Sequence, residues 1–126
     1  MNKSLNIQPQ KISDRFKEID EYWSPKVIGE VNDQYVKIAK LKGEFVWHDH
    51  KEEDELFYIV KGKLDIHMKE NIVHLEEGAI YVVPRGVQHK PVALNECWVM
   101  LLEKKTTKHT GDVITEFTRS IEEQLK

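Results

Sequence analysis

Residues 45–62 read FVWHDHKEEDELFYIVKG, and the fold turns on how this stretch is placed. An apolar run ends in two histidines, His48 and His50. Four acids follow within five residues, and a second apolar run closes on Gly62. On an extended strand residues i and i+2 share a face, so His48 and His50 project together with Val46, while Phe45, Trp47 and Asp49 face the other way. Two imidazoles side by side at a strand end make a bidentate nitrogen clamp. A run of acids is by itself a solvated loop, so the question is whether one of the four joins the histidines. Glu55 adjoins the second run and shares a face with Phe57 and Ile59, whereas Glu52, Glu53 and Asp54 fall on the connection. Periodicity alone leaves this open, because Leu56, Tyr58 and Val60 on the opposite face are equally apolar.

Working outward, about nine short runs rich in Val, Ile, Tyr and Trp follow Pro25: VIGEV, QYVKIAKL, EFVWHDH, ELFYIV, KLDIHMK, NIVHL, AIYVVP, VQHKPVAL and CWVMLLEK. Turn-like pieces (LKGE, VKGK, KENI, EEGA, PRGV, LNEC) separate several of them. Short strands with no helix between them exclude a parallel α/β sheet and predict an all-β antiparallel sandwich or barrel. Ahead of them, Ile12, Phe16, Ile19 and Trp23 fall at helical spacing, with Ser13 placed to cap and Pro25 to stop, which predicts a helix over 12–23. Residues 1–11 read as a loose polar arm. At the other end Ile114, Phe117, Ile121 and Leu125 recur at helical spacing and Ser120 with Glu123 forms a capping box, predicting a helix within 112–125. The whole chain, 1–126, reads as one domain with its barrel at about 26–105.

The chain of 126 residues is 40% hydrophobic and 33% charged, ordinary for a globular domain with a sizeable core. A formal net charge of -3 gives no reason to expect nucleic acid or an anionic membrane as partner. No apolar run approaches the roughly 20 residues that span a bilayer. The N-terminus lacks the apolar core of a secretory signal. One cysteine, Cys97, excludes an internal disulfide and fits a reducing compartment. The expected location is cytoplasmic.

A third histidine, His89, follows Pro84-Arg85-Gly86, whose Pro and Gly suit a tight turn that brings it back towards the first two. These residues resemble the cupins, small β-barrels of the RmlC-like jelly-roll type. The family's first motif, G-(X)5-H-X-H-(X)3,4-E-(X)6-G, is matched by Gly43, His48, His50, Glu55 and Gly62. Its second, G-(X)5-P-X-G-(X)2-H-(X)3-N, is matched by Gly78, Pro84, Gly86 and His89. The resemblance covers roughly residues 34–105. Four residues rather than five separate Gly43 from His48, and Ala93 stands where the second motif has Asn.

Carried over by position, the resemblance implies that His48, His50, Glu55 and His89 hold one divalent transition metal. Three imidazoles and a carboxylate suit manganese or iron, and also zinc, nickel or copper, but not calcium or magnesium. Phe57, Tyr81 and Arg85 are candidates for the substrate pocket, Arg85 through attraction of an anion. His67, His74 and His109 are assigned nothing, and Cys97 reads as a small buried hydrophobe. The expected activity is a metal-dependent enzyme on a small oxygenated metabolite, of dioxygenase or decarboxylase type. The alternatives are a sugar-phosphate isomerase, a non-catalytic metabolite- or metal-binding module, and a closed structural zinc site. Glu55 argues against the thiol dioxygenases of this superfamily, which generally lack the glutamate. A homodimer is the expected assembly.

Overall fold

The structure, a computed structural model, describes residues 8–126; most of the N-terminal arm, residues 1–7, lies outside that range. Within it the chain runs α1 (Ile12–Phe16), β1 (Lys26–Val31), β2 (Gln34–Glu44), β3 (Glu55–Lys61), β4 (Leu64–Met68), β5 (Ile72–Leu75), β6 (Ile80–Val83), β7 (His89–Lys104) and α2 (Ile121–Gln124). Every strand pair is antiparallel, in the order β1-β2-β7-β3-β6, with β4 joining β5 to the first half of β7. The all-β antiparallel jelly roll expected from the short runs is therefore present.

Among the described residues it is built from seven strands, not nine. EFVWHDH leaves regular pairing after Glu44, and the last two runs fuse into one long strand, β7. LNEC is not a turn: Leu94, Asn95 and Glu96 bulge outward, exposed, where the pairing with β2 shifts between Leu41 and Gly43. The bulge lets one strand serve two sheets. Its first half pairs with β4 and its second with β3, while β2 runs along both.

Two cores result. Inside the barrel, Trp23, Leu41, Phe45, Phe57, Ile59, Leu64, Ile66, Val99 and Leu101 pack together. Outside it, Phe16 and Ile19 cover Ile28 and Ile38, with Phe16 stacked on Trp98 at 4.6 Å. The predicted N-terminal helix is correspondingly short. It stops at Phe16, and Lys11 occupies the N-cap in place of Ser13, with no side-chain cap. Tight i to i−3 turns follow, and Trp23 takes a left-handed φ of 58°. Trp23 donates its backbone N–H to Lys40 O and its indole N–H to Lys42 O, so docking on β2 displaces the last helical turn.

The C-terminal helix is also short. The capping box of Ser120 and Glu123 is present, but the segment before it bends through side-chain hydrogen bonds. Thr110 donates to Val113 O, and the Thr118 hydroxyl accepts from the Thr115 backbone N–H. Such local bonds compete with helix. This segment crosses the barrel mouth, where Phe117 meets Trp23 and Phe45. Gly111, at φ 62°, lies so close to the Asp49 carbonyl that a Cβ there would overlap it. No helix among the described residues is long and apolar enough to cross a membrane.

Candidate metal centre

The two halves of the site are stitched together by backbone. His48 N–H donates to His89 O at 3.0 Å and His89 N–H returns to His48 O at 2.9 Å. On either side Phe45 N–H reaches Pro91 O and Gly86 N–H reaches His50 O, so the segment after β2 lies along the entry to β7. Glu55, the first residue of β3, sits opposite Val83 on one side and Glu103 on the other. Its face is the inner one, shared with Phe57 and Ile59, as the strand alternation allowed. Gly62 ends that strand with φ 87°, where a Cβ would press on Glu96 O.

The structure brings His48, His50, Glu55 and His89 to one point, each offering a ligand atom, all within 4.8 Å of one another. Their exposures are 2%, 4%, 6% and 0%. Metal bonds of about 2.1 Å set trans donors about 4.2 Å apart, so the cluster is of coordination size. Its hydrogen bonding fits the same reading. His48 and His89 each donate Nδ1–H to a backbone carbonyl two residues upstream, Val46 O and Val87 O, both at 2.9 Å. That fixes the tautomer and leaves Nε2 a bare acceptor, the usual arrangement of a metal-binding histidine whose other ring nitrogen donates to a carbonyl. His50 Nδ1 and Nε2, Glu55 Oε1 and His89 Nε2 are buried and unpartnered. The nitrogens His50 Nε2 and His89 Nε2 stand 3.5 and 3.6 Å from Glu55 Oε1, too long for good hydrogen bonds. Buried polar atoms are ordinarily satisfied, and a cation at their centre would satisfy them together.

Burial holds His48 down to about 4, helped by the neighbouring His89. Burial also opposes charge on His50, but the adjoining Glu55 carboxylate outweighs it and raises that pKa. Burial favours a neutral Glu55 as well, yet His50 and His89 hold its carboxyl well below the usual range. In the metal-free cluster the negative charge thus sits on Glu55.

Three residues near the cluster carry no motif signal. Glu103, across from Glu55 on β7, is pushed up to about 8 by burial and by the Glu55 charge. Lys37, on β2, meets Glu103 at 3.1 Å, with both side chains almost wholly buried. The available clue was a charge in the inward phase of a strand, Lys37 with Ala39 and Leu41, Glu103 with Val99 and Leu101. Both faces of β2 are apolar, so the phase could not be chosen. His109, assigned nothing from sequence, reaches the barrel from the C-terminal segment, its ring tilted 31° to that of Phe45 at 5.2 Å.

Beside the cluster lies a cavity of about 40 Å³ lined by Trp23, Leu41, Phe45, Phe57, Leu101 and their neighbours, with His48, Glu55 and His109 as its polar lining. Phe57, a candidate pocket residue, lines this cavity. Tyr81, opposite Phe57 on β6, packs against the core without lining this cavity. Arg85 is not brought to it either: its guanidinium and backbone N–H are taken by Asp54. Phe45 and His48 share the interior, edge to face at 5.4 Å, against the expected alternation, because strict period two ends with β2 at Glu44. Ala93, in place of the motif's Asn, is fully buried in the core.

Comparison with known proteins gives one consistent answer. The family model described as "Cupin domain" matches residues 34–103. An uncharacterized protein, YdbB of Bacillus subtilis (strain 168), is 37% identical over 75 residues, 58% of this chain and 66% of YdbB, a little under two thirds of its length. The crystal structure of a cupin-2 domain containing protein from Shewanella frigidimarina NCIMB 400 superposes with a TM-score of 0.75 at 42% identity, covering 76% of this chain and 94% of that one. Protein NMB1881 of Neisseria meningitidis superposes at 0.72 and 27% identity, covering 78% and 100%.

Proposed function

This chain belongs to the cupin family, and from that premise we propose that it is a metal-dependent enzyme of dioxygenase or decarboxylase type. One manganese or iron ion would be held by His48, His50, Glu55 and His89, and the substrate would be a small oxygenated metabolite. The observation that carries this reading is the juxtaposition of four buried ligand atoms with an apolar cavity that reaches two of them, His48 and Glu55. A six-coordinate ion leaves about two positions beyond four protein ligands, and such an ion supplies Lewis acidity or one-electron exchange with dioxygen. The protein's own part is to fix two imidazole tautomers through Val46 O and Val87 O, and to exclude water with Phe45, Phe57 and Phe117.

A second reading, a non-catalytic module that stores the metal or senses a metabolite, is favoured by the enclosure of the cluster beneath the C-terminal segment. We further propose a homodimer. Ile80 and Val82 on the edge strand β6 are 62% and 45% exposed and continue an apolar outer face through Leu56 and Tyr58. Light scattering at micromolar concentration tests this, and a monodisperse monomer would overturn it.

Elemental analysis and electron paramagnetic resonance of protein purified without a histidine tag test the metal reading. About one manganese or iron per chain is expected in the wild type and none in His89→Ala. Equal, substoichiometric metal in both would overturn the site. Turnover of a diketone, organic acid or sugar by the loaded protein then separates enzyme from module.

A further inference from the structure

The cavity beside the cluster has one polar group with no role so far. Its walls are apolar except for His48, Glu55 and His109. The Trp23 indole N–H is already given to Lys42 O. His48 and Glu55 belong to the candidate ligand set, which leaves His109. This residue lies beyond the matched segment 34–103, so nothing in the family motifs assigns it.

Its chemistry is determined by one contact. The backbone N–H of Arg119 donates to His109 Nδ1 at 3.2 Å. Nδ1 is therefore the acceptor, and in the neutral ring the proton sits on Nε2, at the opposite edge. Burial, with the nearby Lys37 charge, holds the His109 pKa down to about 3, so at neutral pH the ring is an uncharged donor. The donor is also held still. Arg119 is tied to Glu21 at 3.3 Å and to the carbonyls of Glu116 and Thr118, and the ring packs on Phe45. Nε2 has no hydrogen-bond partner among the described residues.

Resting on the reading of the cluster as a metal centre, we infer that His109 is a ligand-contacting residue whose Nε2–H donates to an oxygen of a small carbonyl or carboxylate compound. The apolar part of that compound would lie against Phe45 and Phe57. A volume of about 40 Å³ holds only a few water molecules, each needing about 10–15 Å³. The ligand therefore has few heavy atoms. Selection follows from the same contact: a hydrocarbon of equal size would leave the Nε2–H buried and unpaired, which is what a polar group in an apolar pocket discriminates against.

The test uses cobalt(II)-loaded protein and pyruvate as the probe. Metal affinity is measured by competition with a chelating dye, and pyruvate binding by the change in the cobalt absorption bands. In His109→Phe the cobalt affinity stays within about threefold of wild type while pyruvate binding weakens about tenfold or more. His109→Gln retains an N–H donor and stays within about threefold for both. Unchanged pyruvate affinity in His109→Phe, or loss of cobalt from both variants, would overturn the inference. Wild type that binds cobalt but not pyruvate overturns this inference alone. Wild type that binds no cobalt overturns the metal reading with it.

Discussion

Glu55→Gln keeps the shape of the side chain, removes its charge, and isolates what the cluster does for stability. In the metal-free protein His50 Nε2, His89 Nε2 and Glu55 Oε1 are buried without partners. Each such group costs about 1–3 kcal/mol. A metal that binds only the folded state returns stability as RT ln(1 + [L]/Kd), about 2.7 kcal/mol when free metal is 100 times Kd. An unfolding entropy of about 2.1 cal/mol/K per residue, over 126 residues, is about 0.26 kcal/mol per degree. The wild type therefore gains about 10 °C in Tm at that metal concentration over chelated protein. Replacing the carboxylate by an amide removes the ligand set's only anion, and a hundredfold weaker site leaves a gain of about 2 °C or less. Asp54→Asn, an exposed acid from the same run that pairs with Arg85, keeps the full gain. Differential scanning calorimetry with manganese(II) and with a chelator reads all three. A full gain in Glu55→Gln, or its loss in Asp54→Asn, would refute the assignment.

The buried Lys37–Glu103 pair behaves as a unit: because burial raises the Glu103 pKa, Lys37→Met leaves a neutral carboxyl without its partner and costs about 1–3 kcal/mol, and adding Glu103→Leu recovers most of it. Additive losses in chemical denaturation would count against this coupling. His48 and His109 are neutral in the fold, down at about 4 and about 3, while the unfolded chain takes up protons near 6.5. The unfolded state then binds more protons below pH 6.5, and chelated protein loses stability on acidification, by up to about 1.4 kcal/mol per pH unit for each group. His109→Gln removes one group's share. Glu103, raised to about 8, contributes the opposite slope to both chains and cancels in the comparison. Equal acid slopes would contradict the burial of His109. Gly111→Ala, strained at φ 62° and driven against the Asp49 carbonyl, loosens the C-terminal segment. It speeds metal exchange from the cluster, and an unchanged off-rate for cobalt(II) would show that the segment does not guard the mouth.

Much of the fold was legible because strands advertise themselves locally. The alternation of β3 placed Glu55 with Phe57 and Ile59, and the resemblance to the two cupin motifs picked out all four candidate ligands. Positions where a local pattern competes with a distant partner were not legible. Helical spacing from Ile12 to Trp23 correctly marked buried residues, but pairing with Lys40 and Lys42 on β2 ended the helix at Phe16. Period two beyond Glu44 would have turned Phe45 away from the histidines. The bonds to Pro91 and His89 turn it in.

By itself the sequence determined an antiparallel barrel and the Ser120–Glu123 cap, since each rests on a periodicity or spacing carried within a few residues, and its two cupin-like motifs singled out His48, His50, Glu55 and His89 as candidate ligands. Tertiary structure alone decided that Lys37 faces Glu103, that burial raises the Glu103 pKa while His50 and His89 hold that of Glu55 low, and that His109 lines the cavity and accepts the Arg119 N–H at Nδ1. Those outcomes depend on desolvation and on distances between residues remote along the chain. Lys37 and Glu103 are 66 positions apart, and His109 and Phe45 are 64. Burial sets the cost of a charge and the number of partners a polar atom can reach, and burial exists only once the barrel has closed.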